Sequence, residues 1–132
     1  DCPPHFNPIY QRRVRLESVQ NAMDQAKTAA ATLNGDPKPY HALPWFWSDQ
    51  FDVKLQIAGL SQGYDNIVLR GDPESGRSFA VFYFQGNRLL AVDAINRPGE
   101  FMLGKKLILA EAAVDKSRLA DESFPVKDLL GA

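Results

Sequence analysis

Only one cysteine, Cys2, occurs among the 132 residues, so no internal disulfide can close, and the two histidines, His5 and His41, stand far apart. No cluster with metal-ligand spacing can be drawn from them, and a metal site is not expected. An excess of charge of one sign is missing too. Fifteen basic residues face sixteen acidic ones, a net charge of −1, which excludes a polycation built to hold nucleic acid. No apolar run nears the ~20 residues of a membrane-spanning helix, and no leader pattern opens the chain. A reducing, cytoplasmic setting away from the membrane is the expectation. The glycine signatures of nucleotide binding, GxGxxG and the P-loop, are absent. The chain opens on Asp-Cys without Met and runs into a helix with no strand before it, which points to a piece of a longer protein.

What is present is an ordinary globular composition, 45% hydrophobic and 23% charged, enough to bury one core. The first ten residues, DCPPHFNPIY, hold three prolines and no period, and read as a connecting loop. From Val19 the residues Ala22, Met23, Ala26, Ala30 and Leu33 recur at helical spacing, and Gly35 followed by Pro37 marks a stop. A helix over about residues 18–33 is predicted, with an alanine-rich face turned toward something flat or tightly packed. Phe51 to Ala58 alternates apolar and polar residues at period two, Asn66 to Arg70 and Ser78 to Phe84 follow as strands, and Gln85-Gly86-Asn87-Arg88 turns the chain into Leu89 to Ile95. Strands joined by such short loops are antiparallel. Glu100 to Glu111 reads as a helix with Phe101, Gly104, Leu107 and Ile108 inward, and a shorter helix near Val126 to Leu130 closes the chain. The expected fold class is α+β, an antiparallel meander of about four to five strands with helices on one face.

Most candidate chemistry reduces to local structure. Ser48 beside Asp49 has no third partner at catalytic spacing and reads as a turn. Cys2 has only His5 nearby to activate it and reads as inert. The basic run Gln11-Arg12-Arg13-Val14-Arg15 is a solvated face, at most a patch for an acidic partner. Two features go further. At Arg15-Leu16-Glu17-Ser18-Val19-Gln20-Asn21, a carboxylate, a hydroxyl and free backbone N–H groups gather at a helix N-terminus, which suits an anion or an electron-rich ring edge; a plain Ser18 cap is the simpler account. Trp45-Phe46-Trp47 would, in a strand, send two indoles to one side and Phe46 to the other. Either core packing or the wall of a cavity satisfies that pattern.

The stretches RLESVQNAMDQAKTAAATLNG, YHALPWFWSDQFDVKLQIAGLSQGYDNIVLRGD and FAVFYFQGNRLLAVDAINRPGEFMLGKKLI together resemble the C-terminal part of FAD-dependent, NADH-linked ferredoxin reductases, over nearly the whole chain. The resemblance implies a connector and helix over residues 1–35 that complete the FAD-binding region, and an interface domain over 36–132. The whole enzyme would take a hydride from NADH onto FAD and pass electrons singly to an iron–sulfur ferredoxin. The piece in hand would be inactive alone and would hold little or no FAD.

Carried over by resemblance, Asp1 matches the aspartate that holds the ribityl chain of the flavin, here without its preceding glycine. Glu17, Ser18 and Val19 match the positions that open the helix facing the isoalloxazine, where the positive helix end would steady the negative charge that hydride transfer brings. Trp47 matches the tryptophan packed beside the ring system and lying toward the ferredoxin. Lys27 matches a basic position that meets the acidic ferredoxin, on the helix flank with Gln20. No residue is assigned to catalysis. Two alternatives stand beside this: a relative of apoptosis-inducing factor or monodehydroascorbate reductase with another acceptor, or a free-standing interaction module without flavin. A module would cover Trp47 and the alanine face with its own chain; a piece of a larger enzyme would leave them open, and the open face could let two copies dimerise.

Overall fold

The structure, a computed structural model, describes residues 1–130, so the last two residues of the segment expected to run to 132 lie outside it. The chain divides into two compact units, Asp1–Phe46 and Trp47–Ala132.

In the first unit the proline-rich opening is not a loop. It forms an antiparallel hairpin of β1 (His5–Asn7) and β2 (Arg12–Val14), with His5 opposite Val14 and Asn7 opposite Arg12. Pro3 and Pro4 precede the first strand and Pro8 follows it, so no proline has to donate to the ladder. The turn is made by side chains. Asn7 Oδ1 accepts from the Ile9 N–H at 3.0 Å, Gln11 Nε2 donates to the Pro8 carbonyl at 2.6 Å, and Gln11 takes φ +51°.

Helix α1 (Val19–Leu33) follows, capped by Ser18, whose Oγ accepts from the Asn21 N–H at 3.2 Å. Gly35 ends it at φ +80°, a left-handed conformation that only glycine adopts without strain. Its orientation corrects the expectation. The buried residues are Gln20 and Asn21, while Val19 is 57% and Leu33 88% exposed and Met23 is also open. Amides can be buried there because every one finds a hydrogen-bond partner, whereas the alanine-rich face is largely exposed, at Ala26, Ala29 and Ala30.

From Trp47 onward the second unit is built on an antiparallel sheet in the order β3 (Trp45–Gln50, its first two residues belonging to the first unit), β4 (Val53–Gly59), β7 (Arg88–Ile95), β6 (Phe79–Gln85), β5 (Asn66–Arg70). The strand expected from Phe51 starts at Val53 instead, because Phe51, with φ +57°, and Asp52 make the turn, and the aromatic run before them is a strand of its own. Helix α2 (Pro98–Ala110) begins two residues earlier than expected, since proline is accepted in a first turn. It lies on one face of the sheet over β7. A Cβ on Gly104 would overlap Cγ1 of Val92, so only glycine permits the approach. Between the layers Ala80, Phe82, Phe84, Val92 and Ala94 are fully buried, with Leu103, Leu107 and Ile108 from the helix. A five-residue helix α3 (Lys116–Ala120), too short to show a period, is capped by Asp115 Oδ1, and a 3-10 helix closes the chain at Val126–Leu130.

Among the described residues a buried ion pair, Arg70 with Glu100, lies within this core. Arg70, 3% exposed, donates from Nε to Glu100 Oε1 at 3.2 Å, from Nη1 to the carbonyls of Leu119 (3.1 Å) and Asp121 (2.7 Å), and from Nη2 to Phe124 (2.6 Å). The guanidinium thereby anchors the segment after α2 to the end of β5. Among the described residues, no helix is long and apolar enough to cross a membrane.

Candidate functional site

The helix entry singled out in the sequence is built around a fully buried amide. Asn21 Nδ2 donates to the Leu16 carbonyl at 2.6 Å, to the Asp1 carbonyl at 3.0 Å and to Asp1 Oδ1 at 3.2 Å. Its Oδ1 accepts from Gln25 Nε2 at 3.0 Å and from the Tyr40 hydroxyl at 3.1 Å. The same Asp1 oxygen accepts from the Ser18 N–H at 3.0 Å. Asp1 and Ser18 are thus brought together across seventeen residues, and a carboxylate sits against the half-positive end of α1, where the helix dipole favours it. The N–H groups of Val19 and Gln20, in the first turn, face no helical carbonyl.

Glu17 is exposed and paired with Arg15, Nε to Oε1 at 3.0 Å. Val19, exposed beside it, presents an apolar side chain next to that helix end. Charge, free N–H groups and an apolar neighbour at one helix end fit one edge of a flat, electron-rich ring; they do not amount to a dinucleotide cradle.

Lys27 lies on the flank expected for it. Gln20 Nε2 donates to Asp24 Oδ2 at 2.7 Å, and Asp24 Oδ1 is 3.7 Å from Lys27 Nζ. The ammonium is largely exposed, and the long contact to Asp24 is worth little. Gln20 Oε1 also accepts from the Trp45 N–H at 3.2 Å, which ties the start of β3 to the helix within the first unit.

Sequence reasoning missed His5 and Tyr40. Their rings meet edge to face with centroids 4.7 Å apart, and Gln25 Nε2 lies 3.3 Å from His5 Nδ1. Burial, and then the charge of Arg13, hold the His5 pKa below its usual value; burial, and then the Asp24 carboxylate, push the Tyr40 phenol up. Both stay neutral near pH 7. No local signal joins positions thirty-five residues apart.

The aromatic run lies on β3, at one edge of the sheet. The expected contrast between the indoles and Phe46 is weak: Trp45 is half-buried, whereas Phe46 and Trp47 are both open, Trp47 at 37%.

Residues 45–130 match the family described as reductase C-terminal. Over its full length the chain is 47% identical to the ferredoxin reductase subunit of 5,5'-dehydrodivanillate O-demethylase from Sphingobium sp. (strain NBRC 103272 / SYK-6), of which it covers 32%. It is 46% identical, again over its full length, to putidaredoxin reductase from Pseudomonas putida, covering 31% of that protein. The crystal structure of the covalent putidaredoxin reductase–putidaredoxin complex superposes with a TM-score of 0.90 at 46% identity, over 98% of this chain and 31% of the other. The chain therefore spans about a third of the length of the relatives it matches.

Proposed function

The chain belongs to the reductase C-terminal family, and on that premise we propose that it serves an NADH-dependent, FAD-containing ferredoxin reductase as the domain that lies over the flavin and helps dock an iron–sulfur ferredoxin. The observation that carries this reading is identity of 46–47% over the whole chain to two reductase proteins. The open alanine-rich face of α1 and the open Trp47 support it, since both are the surfaces that a free-standing module would have covered.

FAD, when bound, would accept a hydride from NADH and release its electrons one at a time. Residues 1–35 would supply the edge of the flavin site and the remainder the interface. Asp1 orients the helix entry through Ser18 and Asn21, and its other carboxylate oxygen would meet the ribityl chain. Ser18 and Val19 hold the positive end of α1 toward the ring edge, with Glu17 beside them. Trp47 excludes water and lies toward the incoming ferredoxin, and Lys27 draws an acidic ferredoxin by its charge. The open face of α1 also offers a surface for dimerisation.

The test is a chimera in which this chain replaces the corresponding third of putidaredoxin reductase. The expected result is a yellow protein that reduces putidaredoxin with NADH, slowed by Trp47→Ala without loss of flavin. Lys27→Glu should raise the KM for putidaredoxin more at low salt than at high salt. A chimera that folds but neither keeps flavin nor passes electrons to putidaredoxin would overturn the reading. The chain alone, titrated with FAD, should bind weakly or not at all; stoichiometric binding would refute its role as one edge of a larger site.

A further inference from the structure

The sheet of the second unit has two faces of different character. Val92, under Gly104 of α2, marks the covered face, with Phe82 opposite it on β6. One residue on, the side chains point the other way. There Leu69, Val81 and Asp93 lie in one row across β5, β6 and β7, and Ile67, Tyr83 and Ala91 lie in the next. Ile67 and Leu69 are exposed, Val81, Tyr83 and Asp93 are half-buried and Ala91 is buried, so the face is open toward β5; Tyr64, also exposed, meets the Tyr83 ring edge to face at 5.1 Å between centroids.

Asp93 is the anomaly of this face. Its Oδ2 accepts from the Tyr83 hydroxyl at 2.8 Å, and no cation pairs with it among the described residues. On β4 its partner in register is Ile57 and on β6 Val81, both apolar. A carboxylate set among apolar side chains with a single neutral donor is poorly compensated, and becomes worse off if the face is covered by anything that does not bring a positive charge. Two tyrosine rings beside it offer negative π faces, which also attract cations. A second copy docking by the same patch would bring two such carboxylates into one interface, so self-association is disfavoured here.

We propose that the open sheet face around Tyr64, Tyr83 and Asp93 is a recognition site for a lysine or arginine side chain, carried by an apolar protein surface that packs on Ile67 and Leu69. The cation would sit against the free edge of the Asp93 carboxylate with its alkyl stem along the rings. Burial already holds the Asp93 carboxyl above the usual carboxylate range, and a bound cation would bring it back down.

The probe is n-hexylammonium, compared with hexanol and hexanoate, titrated into the 132-residue chain while backbone and carboxyl NMR shifts are followed. Hexylammonium should move Ile67, Leu69, Val81 and Asp93 together and bind at least about tenfold more tightly than hexanol, as a desolvated cation–π contact with a carboxylate allows. It should also lower the titration midpoint of Asp93. Asp93→Asn should erase the preference for the cation, and should the variant fold poorly, Tyr64→Leu, at an exposed position, should weaken it. Equal binding of hexylammonium and hexanol, or shifts that map elsewhere, would overturn the proposal.

Discussion

The two units are held together by opposite means. From Trp47 onward the interior is apolar, with Phe82, Phe84, Val92 and Leu103 between sheet and helix, and the hydrophobic effect supplies the stability. Before Trp47 the most buried residues include Asn7, Gln20 and Asn21, and geometry comes from hydrogen bonds. Net hydrogen bonds contribute little each but are costly to break when buried. The first unit is therefore specified accurately and stabilised weakly, and it leaves its apolar side chains outward on α1. Such a unit suits a part whose apolar face is completed from outside, whereas the second unit carries its own core.

The comparison breaks first at its one exception. Arg70→Leu would leave Glu100 with only Arg97, take the guanidinium from the carbonyls of Leu119 and Phe124, and leave that of Asp121 with the Phe124 N–H alone. Urea unfolding should show a loss of about 3–5 kcal/mol from the second unit; a loss under 1 would mean that water replaces the guanidinium. Gly104→Ala should cost about 3 kcal/mol by overpacking against Val92, read by the same unfolding curve, and an unchanged midpoint would show that the layers can part freely.

Asn21→Ala acts on the other unit and should cost about 2 kcal/mol. Its signature is local: amide exchange should quicken in residues 1–40 and stay unchanged in β6 and β7. Protection lost equally in both units would show that the first unit has no separate hydrogen-bonded stability.

The smallest effect is on pH dependence. Tyr83 is pushed up to about 12 from 10.0, first by burial and then by its bond to Asp93. A folded-state pKa above the unfolded one means that this stabilisation is complete below pH 10 and is lost as pH rises through about 12. Tyr83→Phe should flatten the stability curve in that window, with the phenolate absorbance near pH 11 reporting the change.

Much of the second unit was legible along the chain. The period-two runs placed the strands, Asn66–Arg70 to the residue, and Gly86 marked the hairpin between β6 and β7. The α+β class followed from the short loops. In the first unit Ser18 and Gly35 bounded α1 correctly, yet the hairpin was hidden by its prolines and the inward face of α1 was assigned to alanines.

Of the candidate site, Ser18, Glu17 and Val19 could be read from one helix entry. The meeting of Asp1 with Ser18 and Asn21, and of His5 with Tyr40, could not, because hydrogen bonds between distant residues leave no period.

Local physics by itself determined where the chain turns, where it is helical and where it alternates, because propensity, capping and periodicity act over a few residues. Only the tertiary structure decided which faces were buried. A helix with both an alanine stripe and an amide pair can be buried on either side, and the choice fell to the side whose polar groups all found partners. The sheet likewise has two usable faces, and Gly104 settled which one took α2, leaving Asp93 and its tyrosines on the open side. Burial of a polar group depends on partners supplied from elsewhere in the chain, and those partners exist only once the chain has folded.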